Sequence, residues 1–443
     1  MILIIGAGVT GLTCASCLNG DILVIEKDKK VGGYCQTTKR NGFTWDRAGH
    51  FFHFKNKNIE SFFKKNIPNK SFVNLEKKTS IYLEKIGVID FPFQKNIHQL
   101  PKEHYIKCLI DLYCAEKTQK PYYTFKEFLY NRLGKSISEL FLIPYNEKLY
   151  ACDLDNLDHD AMGRFFPEVS FEDVLFNADV SNNNSYNNYF SYPTGGAEQF
   201  ISVIEKSAKK NTDIFLETSV VSIDIYNKLA TLSDGSNVKY DLLLNTTPLD
   251  SFCKLININV DSSILTSNKV AVFNIGFDSK IDSGFHWIYF PGNEVFYRVG
   301  CYHNILGDKR ASFYVEIGLS KDDTSAESEL LEKVLKDLNK VGLIDETMNI
   351  IDYEYIVMNP AYVHINKNSE NFKINLKNKL KDHSIYSAGR YGSWTYCSIE
   401  DNMIEAFYLA KKFSAINPNY NFINLFNEKV NSNEIEELEK KIA

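Results

Sequence analysis

The first eleven residues constrain the fold of this chain more than any other segment. An apolar run, Met1–Ile5, is followed by Gly6, Gly8 and Gly11 in the spacing G-x-G-x-x-G, and a second apolar run then ends at Glu26. This order of strand, glycine turn, helix and strand is typical of a βαβ unit that binds a dinucleotide. The alternative is a glycine-rich turn with no ligand, which does not explain the acid at the end of the second strand.

Each residue of this motif has a separate physical role. Gly6 permits a tight turn after the strand, and Gly8 lets the backbone approach a pyrophosphate at the positive end of the following helix. Gly11 lets that helix pack close to the strand. Glu26 is placed to accept hydrogen bonds from ribose hydroxyls.

A second glycine pair, Gly32 and Gly33, follows soon after Glu26. Glycines here let the chain pass close to a cofactor without a side-chain clash. Such a pair resembles the extended fingerprint of FAD-binding proteins, whereas plain Rossmann enzymes that use NAD do not usually carry it. We therefore predict FAD rather than NAD.

Composition excludes several other classes of protein. The chain has 443 residues, enough for two or three domains, with 44% apolar and 24% charged residues. Its formal net charge of -6 does not favour binding to nucleic acid or to an anionic membrane. No apolar run approaches the roughly 20 residues of a membrane span. Because the chain begins inside its first strand, we expect no signal peptide and a cytoplasmic location.

The nine cysteines are mostly scattered along the chain. Cys14 and Cys17 form one C-x-x-C pair, and no second pair completes a zinc site, so we predict no metal. The pair lies in the helix after the glycine turn, where it is either a redox pair or part of the helix packing. We favour packing, and the overall usage suits reduced thiols.

The order of predicted helices and strands indicates a divided cofactor domain. Residues 101–161 repeat apolar positions at helical spacing, and several strands follow between Val270 and Tyr362. The apolar run 241–246 returns the chain to the dinucleotide domain, and an Asn-rich stretch at 181–188 predicts a surface loop.

We therefore predict an α/β protein with a split Rossmann-type FAD-binding domain, an inserted helical domain and an inserted mixed β-sheet domain. The predicted ranges are 1–68, 192–262 and 378–416 for the FAD-binding domain, 98–191 for the helical substrate-side domain, 69–97 and 263–377 for the sheet-rich substrate domain, and 417–443 for a C-terminal helix or tail.

Five groups of residues, in one order along the chain, resemble the UDP-galactopyranose mutase family. They are Gly32–Gly33 with Gly49–Phe51, Phe91–Ile97, Pro144–Tyr150, His286–Phe290 with Phe296–Arg298, and Gly389–Tyr396. The chain departs from the family pattern at Ala48, where a glycine is usual, at Tyr150, where a tryptophan is usual, and at Glu400 and Asp401, where the acids after Tyr396 are shifted. These departures bear on the identity of the sugar more than on the fold.

The resemblance implies a flavoenzyme of cell-surface polysaccharide biosynthesis. Such an enzyme uses reduced FAD to interconvert the pyranose and furanose forms of a nucleotide sugar, by default UDP-galactopyranose and UDP-galactofuranose. The flavin N5 is the covalent nucleophile, so the reaction is an isomerisation without net redox change. The implied partners are the nucleotide sugar and an external reductant such as NAD(P)H; homo-oligomerisation is left open.

The chemistry of a diphosphate leaving group requires cations and hydroxyls around it. The resemblance assigns catalytic roles to Arg298, Arg164 and His50, and substrate binding to Phe91, Gln94, Tyr289, Tyr362 and Tyr396. Together with the glycine motifs, it gives a cofactor-binding set of Gly6, Gly8, Gly11, Glu26, Gly32, Gly33, Gly49, Gly389 and Arg390.

Two other functions fit a split FAD domain. An oxidase or desaturase of the amine-oxidase type would need an apolar substrate path, which Arg298, Arg164 and Gln94 do not suit. A flavin-binding protein without catalysis would not need the segments around Arg298 and Arg390. We therefore place the mutase first and the amine-oxidase type second.

Overall fold

The computed structural model describes residues 1–68, 71–118, 120–167, 169–179, 189–281 and 283–427. The predicted surface loop at 181–188 and the end of the chain beyond 427 lie outside these ranges. The first elements are β1 (Ile2–Ile5), α1 (Val9–Ser16), β2 (Leu18–Asn19), β3 (Ile22–Ile25), β4 (Thr37–Arg40), β5 (Phe43–Asp46), α2 (Lys57–Asn66), β6 (Phe72–Glu76), β7 (Thr79–Leu83) and β8 (Gly87–Asp90).

A mainly helical region follows, and the chain then alternates strands and helices to its end. The helical region comprises α3 (Lys102–Thr118), α4 (Phe125–Ile137), a π-helical turn (Ser138–Leu142), α5 (Ile143–Tyr150) and α6 (Phe171–Asp179). After it come β9 (Tyr189–Pro193), α7 (Glu198–Ala208), β10 (Asp213–Phe215), β11 (Val220–Asp224), β12 (Leu229–Leu232), β13 (Asn237–Lys239), β14 (Leu242–Asn245) and α8 (Leu249–Leu255). The last elements are β15 (Lys269–Phe277), β16 (Trp287–Tyr289), β17 (Arg298–Cys301), α9 (Tyr302–Leu306), β18 (Ser312–Leu319), α10 (Glu327–Lys340), β19 (Ile350–Met358), α11 (Lys367–Lys381), β20 (Ile385–Ser387), α12 (Gly389–Gly392), α13 (Ile399–Ile416) and β21 (Asn421–Phe422).

A five-stranded parallel sheet forms the centre of the dinucleotide-binding region. Its strand order is β10-β3-β1-β14-β20, so it draws on segments that are far apart in the sequence. Every residue of β1, β3 and β14 is buried, as expected of strands covered on both faces. Helices α1, α7 and α13 contribute to the apolar core on one face, and α8 with β11 and β12 contributes to the core on the other. The split Rossmann-type α/β fold predicted from the sequence is therefore confirmed.

The second large sheet is mixed and has seven strands, in the order β19-β15-β18-β17-β16-β7-β8. Its neighbours are antiparallel except β16 and β7, which run parallel. Strand β17 begins at Arg298, three residues later than the apolar pattern from Val295 predicts. The residues between β16 and β17 form a turn instead, closed by the Phe290 amide donating to the Tyr297 carbonyl at 2.9 Å.

The helical region packs against this mixed sheet through one continuous apolar core. Helix α4 begins with a capping box, in which the Thr124 side chain accepts from the Glu127 amide and the Glu127 carboxylate accepts from the Thr124 amide. Helix α5 ends at Ala151 in a left-handed conformation. None of the helices that the structure describes is both long and apolar enough to cross a membrane.

Residues 417–427 differ from the solvated helix or tail predicted from residue 417 onward. Strand β21 pairs antiparallel with β2, and Tyr420 and Phe426 are buried against the dinucleotide-binding region. Two aromatic side chains within seven residues anchor a segment whose other residues are mostly polar, which is why the composition suggested a solvated end. The other predicted domain limits stay a proposal.

Candidate active site

The glycine turn between β1 and α1 has the close contacts that its motif requires. Gly6 has a φ of +101°, and a Cβ there would lie 2.4 Å from the Thr246 hydroxyl oxygen. A Cβ at Gly11 would lie 2.0 Å from the Gly6 carbonyl oxygen, so only glycine lets α1 pack this close. A Cβ at Gly8 would meet no atom within 4 Å. The start of α1 therefore faces open space, which fits a bound pyrophosphate.

The second glycine pair lies directly against this turn. The Gly32 amide donates to the Ala7 carbonyl at 2.8 Å, and the nearest atom to a Cβ at Gly33 would be the Gly8 Cα at 3.7 Å. The buried Glu26 carboxylate accepts from the Ala7 amide at 2.8 Å and from the Asp28 amide at 3.0 Å. An ionised carboxylate has about four acceptor positions, so two remain for ribose hydroxyls. These residues fit the adenosine and pyrophosphate parts of FAD.

The loop after β20 closes the same region from the far end of the sequence. Gly389 has a φ of +83°, and a Cβ there would lie 2.4 Å from the Thr10 hydroxyl oxygen on α1. The Asn402 carboxamide oxygen accepts from both the Thr10 hydroxyl and the Arg390 amide, at 3.2 and 2.7 Å. The Glu405 carboxylate accepts from the Gly389 amide at 2.8 Å. Helix α13 thus holds this loop against the dinucleotide turn.

Gly49 and His50 lie where the dinucleotide region meets the mixed sheet. A Cβ at Gly49 would lie 2.7 Å from the Tyr314 hydroxyl oxygen, so this position requires a glycine. The His50 Nδ1 lies 2.9 Å from the Ala48 carbonyl, which assigns the ring proton to Nδ1. Burial, aided by the positive charges of Arg390 and Arg298, lowers the pKa of His50 to about 4. His50 is therefore neutral at physiological pH.

Arg298 forms a two-pronged ion pair with a carboxylate that the sequence analysis did not single out. Its Nε and Nη2 donate to Glu316 at 2.8 Å each, and the Tyr297 hydroxyl donates to the same carboxylate at 2.7 Å. Glu316 is 1% exposed and Arg298 20% exposed, so the arginine is the more exposed member of the pair. Although burial opposes its charge, Glu316 holds the pKa of Arg298 well above its ordinary value. Arg298 is thus permanently charged and fixed in orientation.

The three predicted tyrosines converge beside Arg298 and Arg390. The rings of Tyr362 and Tyr396 are stacked with centroids 6.0 Å apart, and the Arg390 guanidinium lies 5.3 and 4.8 Å from their centroids. Burial raises the pKa of Tyr396 to about 12, so its hydroxyl is protonated and available as a donor. Tyr289 lies at the end of β16, opposite Arg298 in the β16–β17 register. Together they form a wall of cations and hydroxyls.

The predicted nucleobase-side residues lie next to this wall. Phe91 packs against Tyr289 with centroids 5.1 Å apart, and the Lys77 ammonium lies 5.5 Å from the Phe91 centroid. Burial lowers the pKa of Lys77 to about 8. Gln94 is 1% exposed; its amide nitrogen donates to the Pro167 carbonyl, and its amide oxygen has no partner among the described residues. Phe91 therefore contacts the wall through Tyr289, whereas Gln94 is almost fully buried.

Arg164 is not brought together with Arg298. It is exposed, it forms an ion pair with Asp401, and its guanidinium lies 5.0 Å from the Phe165 ring. Phe165 in turn contacts Tyr396 edge-on at 5.0 Å, so the segment of Arg164 borders the cleft. A catalytic role for Arg164 stays a prediction, because in this arrangement its charge is directed to Asp401.

Cys14 and Cys17 are both buried, and neither forms a disulfide. Burial raises the pKa of both thiols far above the ordinary value, so neither is a reactive thiolate. This supports helix packing over a redox pair.

Three residues next to the predicted site residues were given no role from the sequence. They are Glu316, Asp401 and Tyr145, whose ring lies 5.0 Å from that of Tyr289. Glu316 carried a signal, because an acid in the middle of the apolar strand 311–317 needs a buried partner.

Comparisons with known proteins agree with this fold. The NAD(P)-binding Rossmann-like domain family matches residues 4–65. A structure of reduced UDP-galactopyranose mutase aligns with a TM-score of 0.86 and 22% identity, over 94% of each chain. A putative protoporphyrinogen oxidase from Exiguobacterium sp. 255-15 aligns at 0.74 with 17% identity, over 94% of this chain and 99% of the other. Wild-type putrescine oxidase aligns at 0.61 with 12% identity, over 94% and 98%.

These similarities show a fold that mutases and oxidases share. Together with the dinucleotide motif, they support FAD as the cofactor. At 12–22% identity they do not choose between the two activities.

Proposed function

We propose that this protein is a flavin-dependent mutase that interconverts the pyranose and furanose forms of a nucleotide sugar, with UDP-galactopyranose as the first candidate substrate. The observation that carries the proposal is the wall formed by Arg298, Tyr289, Tyr362 and Tyr396, with the cofactor-side Arg390 lying over the rings of Tyr362 and Tyr396. A cation and three hydroxyls suit a diphosphate. The alignment with a mutase structure over nearly the whole chain supports the same function.

The residues of the wall have a defined task in such a reaction. A nucleoside diphosphate that leaves the sugar and is then recaptured must stay in place throughout the cycle. Glu316 occupies the Nε and Nη2 edge of Arg298, which leaves further N–H donors of the guanidinium for phosphate oxygens. The protonated hydroxyl of Tyr396 adds a neutral donor.

The cofactor-facing residues would bind FAD at Gly6, Gly8, Gly11, Glu26, Gly32, Gly33, Gly49, Gly389 and Arg390. When bound and reduced, FAD supplies a nucleophilic nitrogen, N5, for the anomeric carbon. His50 is neutral and donates its Nδ1 proton to the Ala48 carbonyl, so its Nε2 is an acceptor toward that region. It can orient a cofactor N–H group without adding charge.

An amine-oxidase-type oxidoreductase is the second candidate, since the fold is shared with oxidases. Such an enzyme needs an apolar path for an uncharged substrate, and the half-buried Arg298 and Arg390 disfavour that path here. The two functions differ in their use of oxygen, so one experiment separates them.

The test uses the purified protein with its bound flavin. The preparation should be yellow and should release FAD; a colourless protein that takes up no FAD would contradict the cofactor. After reduction with dithionite under nitrogen, the protein is incubated with UDP-galactose and a panel of other nucleotide sugars, and furanose products are measured by chromatography and NMR. We expect many turnovers for each reduction and none with the oxidised enzyme. Activity that consumes oxygen or NADPH in proportion to product would favour the oxidoreductase.

A further inference from the structure

A lysine outside the predicted site binds the turn between the two strands that carry Tyr289 and Arg298. The Lys148 ammonium, on α5, donates to the carbonyls of Phe290, Gly292 and Phe296 at 2.8, 3.0 and 2.6 Å. An ammonium has three N–H donors, and all three are used here. Lys148 therefore ties three carbonyl groups of the turn to helix α5.

The turn also contains a buried carboxylate, Glu294, whose environment includes this lysine. Glu294 is 3% exposed, and neither of its carboxylate oxygens has a hydrogen-bond donor among the described residues. The Lys340 ammonium, 3.7 Å from one of them, is half-exposed and also binds Glu84 at 3.1 Å. Lys148 is a second positive charge that interacts electrostatically with Glu294. Without it, a buried carboxylate in the turn would lose much of its compensation.

Helix α5 is itself held firmly against the mixed sheet. A Cβ at Gly318 on β18 would lie 1.9 Å from the Lys148 carbonyl oxygen, so helix and strand are in direct backbone contact. One turn earlier on the helix, the Tyr145 ring lies 5.0 Å from that of Tyr289 and 6.1 Å from that of Tyr297. The helix therefore contacts both the turn and the residues at its ends.

We propose that Lys148 is a positioning residue of the substrate site, which fixes the turn 290–297 so that Tyr289 and Arg298 keep the spacing that a diphosphate requires. The inference rests on the proposed mutase function, because it assigns the diphosphate as the ligand of these two side chains. In this role, Lys148 contacts neither substrate nor cofactor and acts only through the turn.

The charge of Lys148 makes this support dependent on pH. Burial lowers its pKa to about 8, against the opposing effect of Glu294 on the turn and Asp337 on α10. Lys340 of α10 and Glu84 also face this cluster. When pH rises above about 8, the neutral amine keeps two N–H donors for three carbonyls, and Glu294 loses the charge of Lys148 but keeps that of Lys340, 3.7 Å away. Binding of the nucleotide sugar should therefore weaken on the basic side.

The experiment compares Lys148→Met, Lys148→Arg and the parent. Methionine keeps the apolar stem without the charge, and arginine keeps the charge at every pH tested. Lys228→Met is the matched control, since the Lys228 ammonium also donates to a backbone carbonyl and to the Ser384 hydroxyl, but in the dinucleotide-binding region. For each protein we would measure FAD content, Kd for UDP, KM and kcat from pH 6 to 10, and amide hydrogen exchange of the segment 290–297.

For Lys148→Met we expect full FAD content, faster exchange in 290–297, and roughly tenfold higher Kd and KM at pH 7 with a smaller change in kcat, as for a lost charge-assisted hydrogen bond. The parent should lose affinity above about pH 8, and Lys148→Arg should recover part of the affinity and reduce that decline. Lys228→Met should match the parent. Kd, KM and exchange within twofold of the parent in Lys148→Met would overturn the proposal.

The design separates this proposal from the proposed function. If the parent binds no UDP and isomerises no nucleotide sugar, the mutase assignment fails, and the positioning role toward a diphosphate is overturned with it, while hydrogen exchange still reports whether Lys148 fixes the turn. If the parent isomerises its substrate and Lys148→Met behaves identically, only the positioning role fails. Should Lys148→Met not fold, the parent is compared with Lys148→Arg: a decline above pH 8 that is as large in Lys148→Arg as in the parent overturns the proposal.

Discussion

At the scale of single residues, the ion pair between Arg298 and Glu316 affects both the folding of the protein and the binding of substrate. The carboxylate is almost fully buried and receives three hydrogen bonds from Arg298 and Tyr297. Glu316 therefore fixes the orientation of the guanidinium through Nε and Nη2, and the Arg298 side chain stays 20% exposed. Removing either partner leaves the other charge buried, so effects on folding and on binding have to be separated.

The first prediction separates the effect on folding from the effect on binding with a double variant. Arg298→Ala should raise KM for the nucleotide sugar roughly tenfold or more, because a charge-assisted contact contributes about 1.5–3 kcal/mol. It should also lower the free energy of unfolding by about 3–5 kcal/mol, because Glu316 is left unpaired. Arg298→Ala/Glu316→Gln should regain much of that stability but not the affinity. Arg298→Lys should recover only part of the activity, since the two-pronged geometry is lost.

The measurements are steady-state kinetics of the reduced enzyme and urea unfolding of the holoprotein. Arg310→Ala is the control, because this arginine lies over the Phe43 ring at 4.1 Å and donates to the Asn41 carbonyl, away from the cleft. Unchanged kinetics in Arg298→Ala would place the diphosphate elsewhere.

The second prediction concerns the protonation of His50. Burial lowers its pKa from 6.5 to about 4, so the folded protein binds fewer protons than the unfolded chain between these values. The contribution of His50 to stability is therefore present above pH 6.5 and is lost as pH falls toward 4. In NMR spectra, the ring signal that disappears in His50→Gln should show no titration between pH 5 and 8. A midpoint near 6.5 would contradict a buried, neutral ring.

At the scale of elements, the loop after β20 depends on a backbone conformation that only glycine adopts easily. The third prediction is that Gly389→Ala loses bound FAD, because the new methyl group would clash with Thr10 at the start of α1 and push the loop away from the dinucleotide turn. Gly235→Ala is the matched control, since Gly235 has a φ of +85° against +83° at Gly389 but open space around it. Both variants carry a backbone strain of about 1–2 kcal/mol, and only the first carries the clash.

FAD content per chain, from the absorbance ratio of flavin to protein, decides this prediction. We expect Gly235→Ala to keep the cofactor of the parent. Equal FAD content in the two variants would show that the contact between Gly389 and Thr10 does not shape the site.

Elements with a strong local pattern could be predicted from the sequence, and contacts between distant residues could not. The apolar runs gave β1, β3, β14 and β15, and the helical spacing from Ser325 to Val341 gave α10 at Glu327–Lys340. Arg298 and the tyrosines were predicted as site residues from the order of their motifs, and their roles stay a prediction. Their partners were not predicted, because the contacts of Lys148 with the turn span 142 to 148 positions and no local spacing encodes them. The pairing of Arg164 with Asp401, 237 positions away, was missed for the same reason.

At the scale of the whole molecule, residues 417–427 belong to the core of the dinucleotide-binding region. The fourth prediction is that Phe426→Ala lowers the free energy of unfolding by about 3–5 kcal/mol, as expected for a buried phenylalanine. Phe426 is 3% exposed and contacts the rings of Phe62 and Phe407 at 5.4 and 5.5 Å. Phe176→Ala, at a side chain that is 76% exposed, should change stability by less than about 0.5 kcal/mol. Urea unfolding measures both, and equal small effects would show that Phe426 is not part of the core.

The strand order of the parallel sheet also determines how long its first strands wait for their partners during synthesis. β1 is synthesised well before β20, which begins at residue 385 and completes the same sheet. At about 5–20 residues per second, the nascent chain waits roughly 20 to 80 s between these two events. Until α13 and β21 follow, the apolar surface that these elements cover in the folded protein stays uncovered. A nascent chain that stalls before β20 therefore presents this surface to neighbouring chains.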